Sequence, residues 1–134
     1  MSDPVILIVD DEEALRRALS LRLEDEDFEL LGAENGQKAL EIISTKHVDI
    51  VVTDLLMPDM VGLELMQKLH EWQMEIPVIA MSGGDVSLEF LDADSLLQNA
   101  ERYGAFEVIE KPFKAHDLIA VIHKLLAERK QADT

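Results

Sequence analysis

Cysteine is absent from the 134 residues, which excludes a disulfide framework and thiolate chemistry. Export to an oxidising compartment is not indicated, and a cytoplasmic location is expected. Basic residues are scarce: 12 Lys and Arg stand against 28 Asp and Glu, a net charge of -16. Such a chain repels nucleic-acid phosphates and anionic lipid at long range, so no nucleic acid and no membrane is expected among its partners. Proteins with basic or neutral faces remain, as do cations. No apolar run approaches the roughly 18 residues of a membrane span. Met1-Ser2-Asp3-Pro4 also lacks the basic start and apolar stretch of a signal peptide. No internal repeat, low-complexity tract or linker breaks the chain.

What is present is enough for one core. The chain has the length of a single domain, and 48% hydrophobic residues can fill it. Val5-Ile6-Leu7-Ile8-Val9 is an apolar, β-branched run that reads as a strand, followed by Asp10-Asp11-Glu12-Glu13. A first helix then carries Leu15, Ala18, Leu19 and Leu23 on one side. Residues 28–33 read as a weaker second strand, nearer an edge, and Asn35-Gly36 opens a second helix with Ala39, Leu40 and Ile43 inward. Asp49-Ile50-Val51-Val52-Thr53 is a third strand, buried on both faces, that delivers Asp54 to its end. Pro58 and Gly62 punctuate the loop before a third helix to about Trp72, with Leu65, Met66 and Leu69 inward. A fourth strand, 77–81, ends in Ser82-Gly83-Gly84, and a fourth helix with an extended entry is expected within residues 85–104. Residues 106–109 form a fifth strand before Lys111-Pro112. Leu118, Val121, Ile122 and Leu125 line a last helix, and the polar tail from Arg129 is expected to fray. Five strands alternating with five helices argue an α/β domain with a parallel sheet covered on both faces.

In such a sheet all strands present their C-terminal ends to one rim, where ligands of open α/β sheets bind. Asp10 and Asp11 reach it from the first strand, Asp54 from the third, Ser82 from the fourth and Lys111 from the fifth. Two carboxylates about 5 Å apart repel by roughly 3 kcal/mol at an effective dielectric of ~20, so three favour a bound cation. Oxygen ligands without cysteine or histidine point to Mg²⁺. Beside that ion Asp54 is placed to attack phosphorus and form an aspartyl phosphate, with Lys111 and the Ser82 hydroxyl stabilising the transferring oxygens. Taken singly, Asp10, Asp11 and Asp54 are ordinary helix caps or loop acids. It is the set, spread over four strand ends, that carries the reading. Glu12 and Glu13 suit the first turn of a helix. His47, His70, His116 and His123 have no ligand spacing and read as solvated, while Met57, Met66 and Met81 read as core.

The sequence resembles the receiver domains of two-component response regulators over about residues 4–128. The resemblance rests on Asp10-Asp11, Asp54-Leu55-Leu56-Met57-Pro58 with Gly62, Ser82-Gly83 and Lys111-Pro112-Phe113. It implies a flavodoxin-like fold with strand order 2-1-3-4-5 and a phosphoacceptor at Asp54. Asp11, Asp54 and the backbone carbonyl of Leu56 would be Mg²⁺ ligands, with Asp10 beside them through water. Ser82 would bind the phosphoryl oxygen and trigger a switch, and Lys111 would pair with phosphate. A histidine kinase or phosphotransfer protein would be the donor and a further protein the target. The chain departs from the pattern at Val108, where the family often has Tyr or Phe. It also departs in the interval from Ser82 to Lys111, which is long, the excess falling around residues 86–95. The last helix is followed by few residues, so a single domain over 1–134 without an output domain is expected.

Three rivals give different expectations. A haloacid-dehalogenase-type phosphatase also phosphorylates an aspartate at a strand end, but it needs a second acid two residues on, where this chain has Leu56. A flavodoxin-like electron carrier needs a hydroxyl-rich phosphate loop after the first strand, and Asp10-Asp11-Glu12-Glu13 would repel the flavin phosphate. A phosphate-independent interaction module would have no use for the full set.

Overall fold

The computed structural model describes residues 3–54, 62–82, 106–110 and 112–132. Five strands form one parallel sheet: β1 (Val5–Val9), β2 (Glu29–Ala33), β3 (Ile50–Asp54), β4 (Val78–Ser82) and β5 (Phe106–Glu110). Their order is β2-β1-β3-β4-β5, as the resemblance implied. Four helices are described: α1 (Glu13–Leu23), α2 (Gly36–Thr45), α3 (Gly62–Glu71) and α4 (Ala115–Ala132). The fourth helix expected within residues 85–104 lies outside the described residues.

Period-two alternation divides the core between the two faces of the sheet. Val5, Leu7 and Val9 of β1 pack with Val51, Val78 and the α2 and α3 residues Ala39, Leu40, Ile43, Leu65 and Leu69. Ile6 and Ile8 point the other way, joining Ile50, Val52, Ile79 and Met81 beneath Leu19 and Leu23 of α1 and Leu118, Ile122 and Leu125 of α4. Both sides of β1 are buried because it is central, so its sequence is a continuous apolar run. At the edge, β2 exposes Glu29 and Gly32 and buries Ala33, the weaker pattern expected of it.

The direction of chain growth explains which helix lies where. From β1 the chain steps outward to β2, then returns past β1 to β3 and on to β4. With one crossover hand, reversing that step moves the connecting helix to the other face. Accordingly α1 covers one face, and α2 and α3 the opposite one. The reversal opens a crevice between the C-terminal ends of β1 and β3, the place where such sheets receive ligands.

Local chemistry sets the helix ends. Asn35 caps α2 by accepting from the Lys38 amide at 2.8 Å. After α3, Gln73 adopts φ 57°, and the Met74 amide returns to the Leu69 carbonyl at 3.0 Å. Two expectations are corrected. Ala18 is exposed, because the inward stripe of α1 is narrow and centred on Leu19 and Leu23. The tail from Arg129 does not fray at once: α4 continues to Ala132, through residues that are polar but good helix formers. All four histidines are exposed, and Met81 is core. Met57 and the side chain of Met66 lie outside what is described.

Candidate functional site

The site is built where the β1 and β3 ladders run out. Val9 pairs with Thr53, so the next residues, Asp10 and Asp54, lie side by side at the rim. Alternation aims them alike, since Ile6 and Ile8 precede Asp10 on its face of β1 and Ile50 and Val52 precede Asp54 on the matching face of β3. Asp11 follows in the bend that leads into α1. One oxygen from each of Asp10, Asp11 and Asp54 lies within 4.8 Å of the others. Their exposure is graded: Asp10 is fully buried, Asp54 half-buried and Asp11 exposed, so the group opens from the core toward solvent.

Several bonds hold this arrangement. The Asp10 amide donates to the Ala33 carbonyl at 3.1 Å, which keeps the end of β1 tied to β2. Asp10 Oδ1 accepts the Glu12 amide at 2.9 Å and steadies the chain just before the first turn of α1, which Glu12 caps without its own side chain. Arg16 reaches back from α1 to donate to the Asp10 carbonyl. The fully buried Thr53 hydroxyl donates to the Asp54 carbonyl at 3.1 Å, and among the described residues no buried side-chain polar atom lacks a partner.

A pair of carboxylates at this spacing repels by about 3 kcal/mol at an effective dielectric of ~20. Hard oxygen donors from three acids at a partly open rim match Mg²⁺, which binds through a few carboxylates and keeps waters. Among the described residues the cluster offers carboxylate oxygens and not the nitrogen or sulfur donors that would suit zinc or copper.

Asp10, Asp11 and Asp54 are thus brought together as expected. Ser82 ends β4 at the same rim, one residue beyond Met81, which pairs with Asp54. Its backbone pairs with Glu110, the residue before Lys111. Val108 lies in β5 opposite Ala80. The Ser82 side chain, Leu56, Gly83, Gly84 and Lys111 lie outside what is described. Arg16 and Thr53 were missed by sequence reasoning. Arg16 did carry a signal, because it falls three and seven residues before Leu19 and Leu23 and so shares their inward stripe. Thr53 carried none beyond its β-branched shape.

A family model described as "Response regulator receiver domain" matches residues 6–123. The chain is 33% identical over 121 residues to the regulatory protein AtoC of Escherichia coli (strain K12), covering 90% of this chain and 25% of that one. It is 33% identical over 129 residues to the transcriptional regulatory protein SrrA of Staphylococcus aureus (strain NCTC 8325 / PS 47), covering 96% and 50%. The chain therefore spans between a quarter and half of these curated relatives. Among solved structures, it superposes on a CheY-like response regulator receiver domain protein from Methanospirillum hungatei JF-1 with a TM-score of 0.84 at 30% identity, covering 98% of this chain and 99% of that one. A receiver domain protein from Clostridium thermocellum gives 0.82 at 27% identity, covering 96% and 98%.

Proposed function

The chain belongs to the response regulator receiver domain family of two-component signalling, and we propose that within it Asp54 is the phosphoryl acceptor in a Mg²⁺-dependent phosphorylation switch. The observation that carries this reading is the meeting of Asp10, Asp11 and Asp54 at the β1–β3 crevice, within 4.8 Å of one another. Asp11 and Asp54 would hold the ion directly together with the Leu56 carbonyl, with Asp10 behind them through water. When bound, Mg²⁺ supplies positive charge to the acids and to the oxygens of an incoming phosphoryl group.

The chain's own residues do the rest. A carboxylate oxygen of Asp54 attacks phosphorus in line, forming the new P–O bond. The bond from phosphorus to the donor breaks with its electron pair going to the donor, whose imidazole nitrogen takes up a proton when the donor is a phosphohistidine. Asp54 sits at the end of a paired central strand, which fixes its backbone while part of its side chain remains reachable. Asp10 stays buried behind them, where it would reach the ion through water. Lys111 pairs with a phosphoryl oxygen and Ser82 donates its hydroxyl to another, drawing the ends of β4 and β5 toward Asp54 and shifting a two-state equilibrium. The donor is a histidine kinase or phosphotransfer protein and the readout is a protein contact, in keeping with a charge that disfavours nucleic acid.

Incubation with Mg²⁺ and acetyl phosphate, followed by phosphate-affinity electrophoresis, tests the reading. The wild-type chain shifts and Asp54→Asn does not; equal shifts of both would remove Asp54 from the role.

A further inference from the structure

We infer that Arg16 is a positioning residue for the cation site, setting the direction of the Asp10–Asp11 peptide from across the start of α1; this rests on reading the three acids as that site. Asp10 is held at its amide by the Ala33 carbonyl and at Oδ1 by the Glu12 amide. The Arg16 guanidinium holds the third point, the Asp10 carbonyl. That carbonyl belongs to the planar unit whose other end is the Asp11 amide, so fixing its direction fixes how the chain enters Asp11. Asp11 needs this, because it is exposed in a bend outside the strand and helix on either side. The buried end of β1 and the solvent-facing acid are therefore joined through a peptide that α1 orients.

Arg16 is itself placed by two features. Its amide donates to the Glu12 carbonyl at 3.1 Å, rooting it in the first turn of α1. Its stem lies over Gly32 of β2, where an added Cβ would stand 3.7 Å from Cδ and 3.8 Å from Nε. Alanine at 32 would make ordinary contact with that stem, whereas the extra carbons of valine would displace it. Charge and geometry predict opposite signs for losing Arg16. Removing a cation near the acids would tighten Mg²⁺ binding if charge alone mattered. Losing the fixed peptide would weaken it, on the order of the tenfold loss typical when a partner that orients a metal ligand is removed.

The test is calorimetric titration of the full chain with MgCl₂ alone, paired with acetyl phosphate labelling across a Mg²⁺ series. Arg16→Met and Gly32→Val should each bind Mg²⁺ about tenfold more weakly and regain the wild-type labelling rate at saturating Mg²⁺. Gly32→Ala should bind as wild type. Unchanged or tighter binding in both Arg16→Met and Gly32→Val overturns the inference, as does a labelling rate that stays low at saturation. Should Arg16→Met fail to fold, Gly32→Val decides, since valine suits an edge strand. Asp11→Asn separates the two levels of argument. If it loses Mg²⁺ binding while the other variants keep theirs, only the role of Arg16 falls; if it binds as wild type, the site itself has been misread.

Discussion

Asp49 directly precedes β3 and Asp54 ends it, five residues apart in sequence, and their neighbours differ. Asp49 is met by donors: its Oδ2 accepts the Val5 amide at 2.8 Å and its Oδ1 lies 2.8 Å from His47 Nε2. Its own amide donates to the Val5 carbonyl at 2.8 Å, so the residue fastens β3 to the start of β1. Asp54 is met by two more carboxylates. One residue type, just before a strand and at its end, thus serves architecture at one side of the sheet and adds to a demand for positive charge at the other. Identity alone does not separate the two; what the neighbouring strand ends contribute does.

The largest effect that could break this contrast is on cation dependence. Chelating divalent ions should abolish acetyl phosphate labelling of the wild-type chain, and Asp11→Asn should do the same at low Mg²⁺, whereas Asp49→Ala should label normally. Labelling that survives chelation would place Asp54 in the same class as Asp49. Stability should then split by sign. Asp49→Ala removes the acceptor for the Val5 amide and should cost about 1–3 kcal/mol in urea denaturation. Asp54→Asn, measured without Mg²⁺, relieves repulsion among the acids and should raise stability by about 1 kcal/mol. Destabilisation by both would mean that repulsion among the rim acids is outweighed by what Asp54 contributes to the fold.

Glu107 offers a milder version of the satisfied acid, paired on the surface with Lys124 of α4 at 2.8 Å. The hydrogen bond that Lys124 donates to Glu107, and then the Glu107 charge, raise the Lys124 pKa above the ordinary 10.5. A pKa raised on folding gives stability that is complete below 10.5 and is lost as pH climbs through the folded value. Glu107→Gln should therefore lower the melting temperature slightly at neutral pH, and the difference should vanish in strongly alkaline buffer. A difference that persists there would assign Glu107 a role apart from the ion pair. Smaller still, Gln73→Gly should stabilise the end of α3 by up to ~1 kcal/mol, since only glycine holds φ 57° without strain. No change in melting would place the strain elsewhere, and labelling should be unaffected.

Much of this architecture was legible in the chain. The β1 and β3 runs are apolar without alternation because both faces of those strands are covered, which also located their C-terminal ends and hence Asp10 and Asp54. The weak β2 pattern signalled its edge position. Other features depend on the partner across the sheet. Asp49 reads only as the start of a strand until Val5 is seen beside it, and the inward spacing of Arg16 shows no purpose until the Asp10 carbonyl is placed within its reach. The end of α4 was misjudged because polar composition was weighed above helix propensity at Arg129, Lys130, Gln131 and Ala132. Ala18 was placed inward because a small apolar residue at helical spacing does not reveal where the covered stripe ends.

The most direct measurement is chemical mapping of the modified residue. After labelling in Mg²⁺ and acetyl phosphate, borohydride reduction converts an acyl phosphate to an alcohol that peptide mass spectrometry can locate. The account predicts reduction at Asp54 and at no other acid, dependent on Mg²⁺. Reduction at Asp10 or Asp11 with Asp54 untouched, or none in a chain shown to bind Mg²⁺, would contradict it.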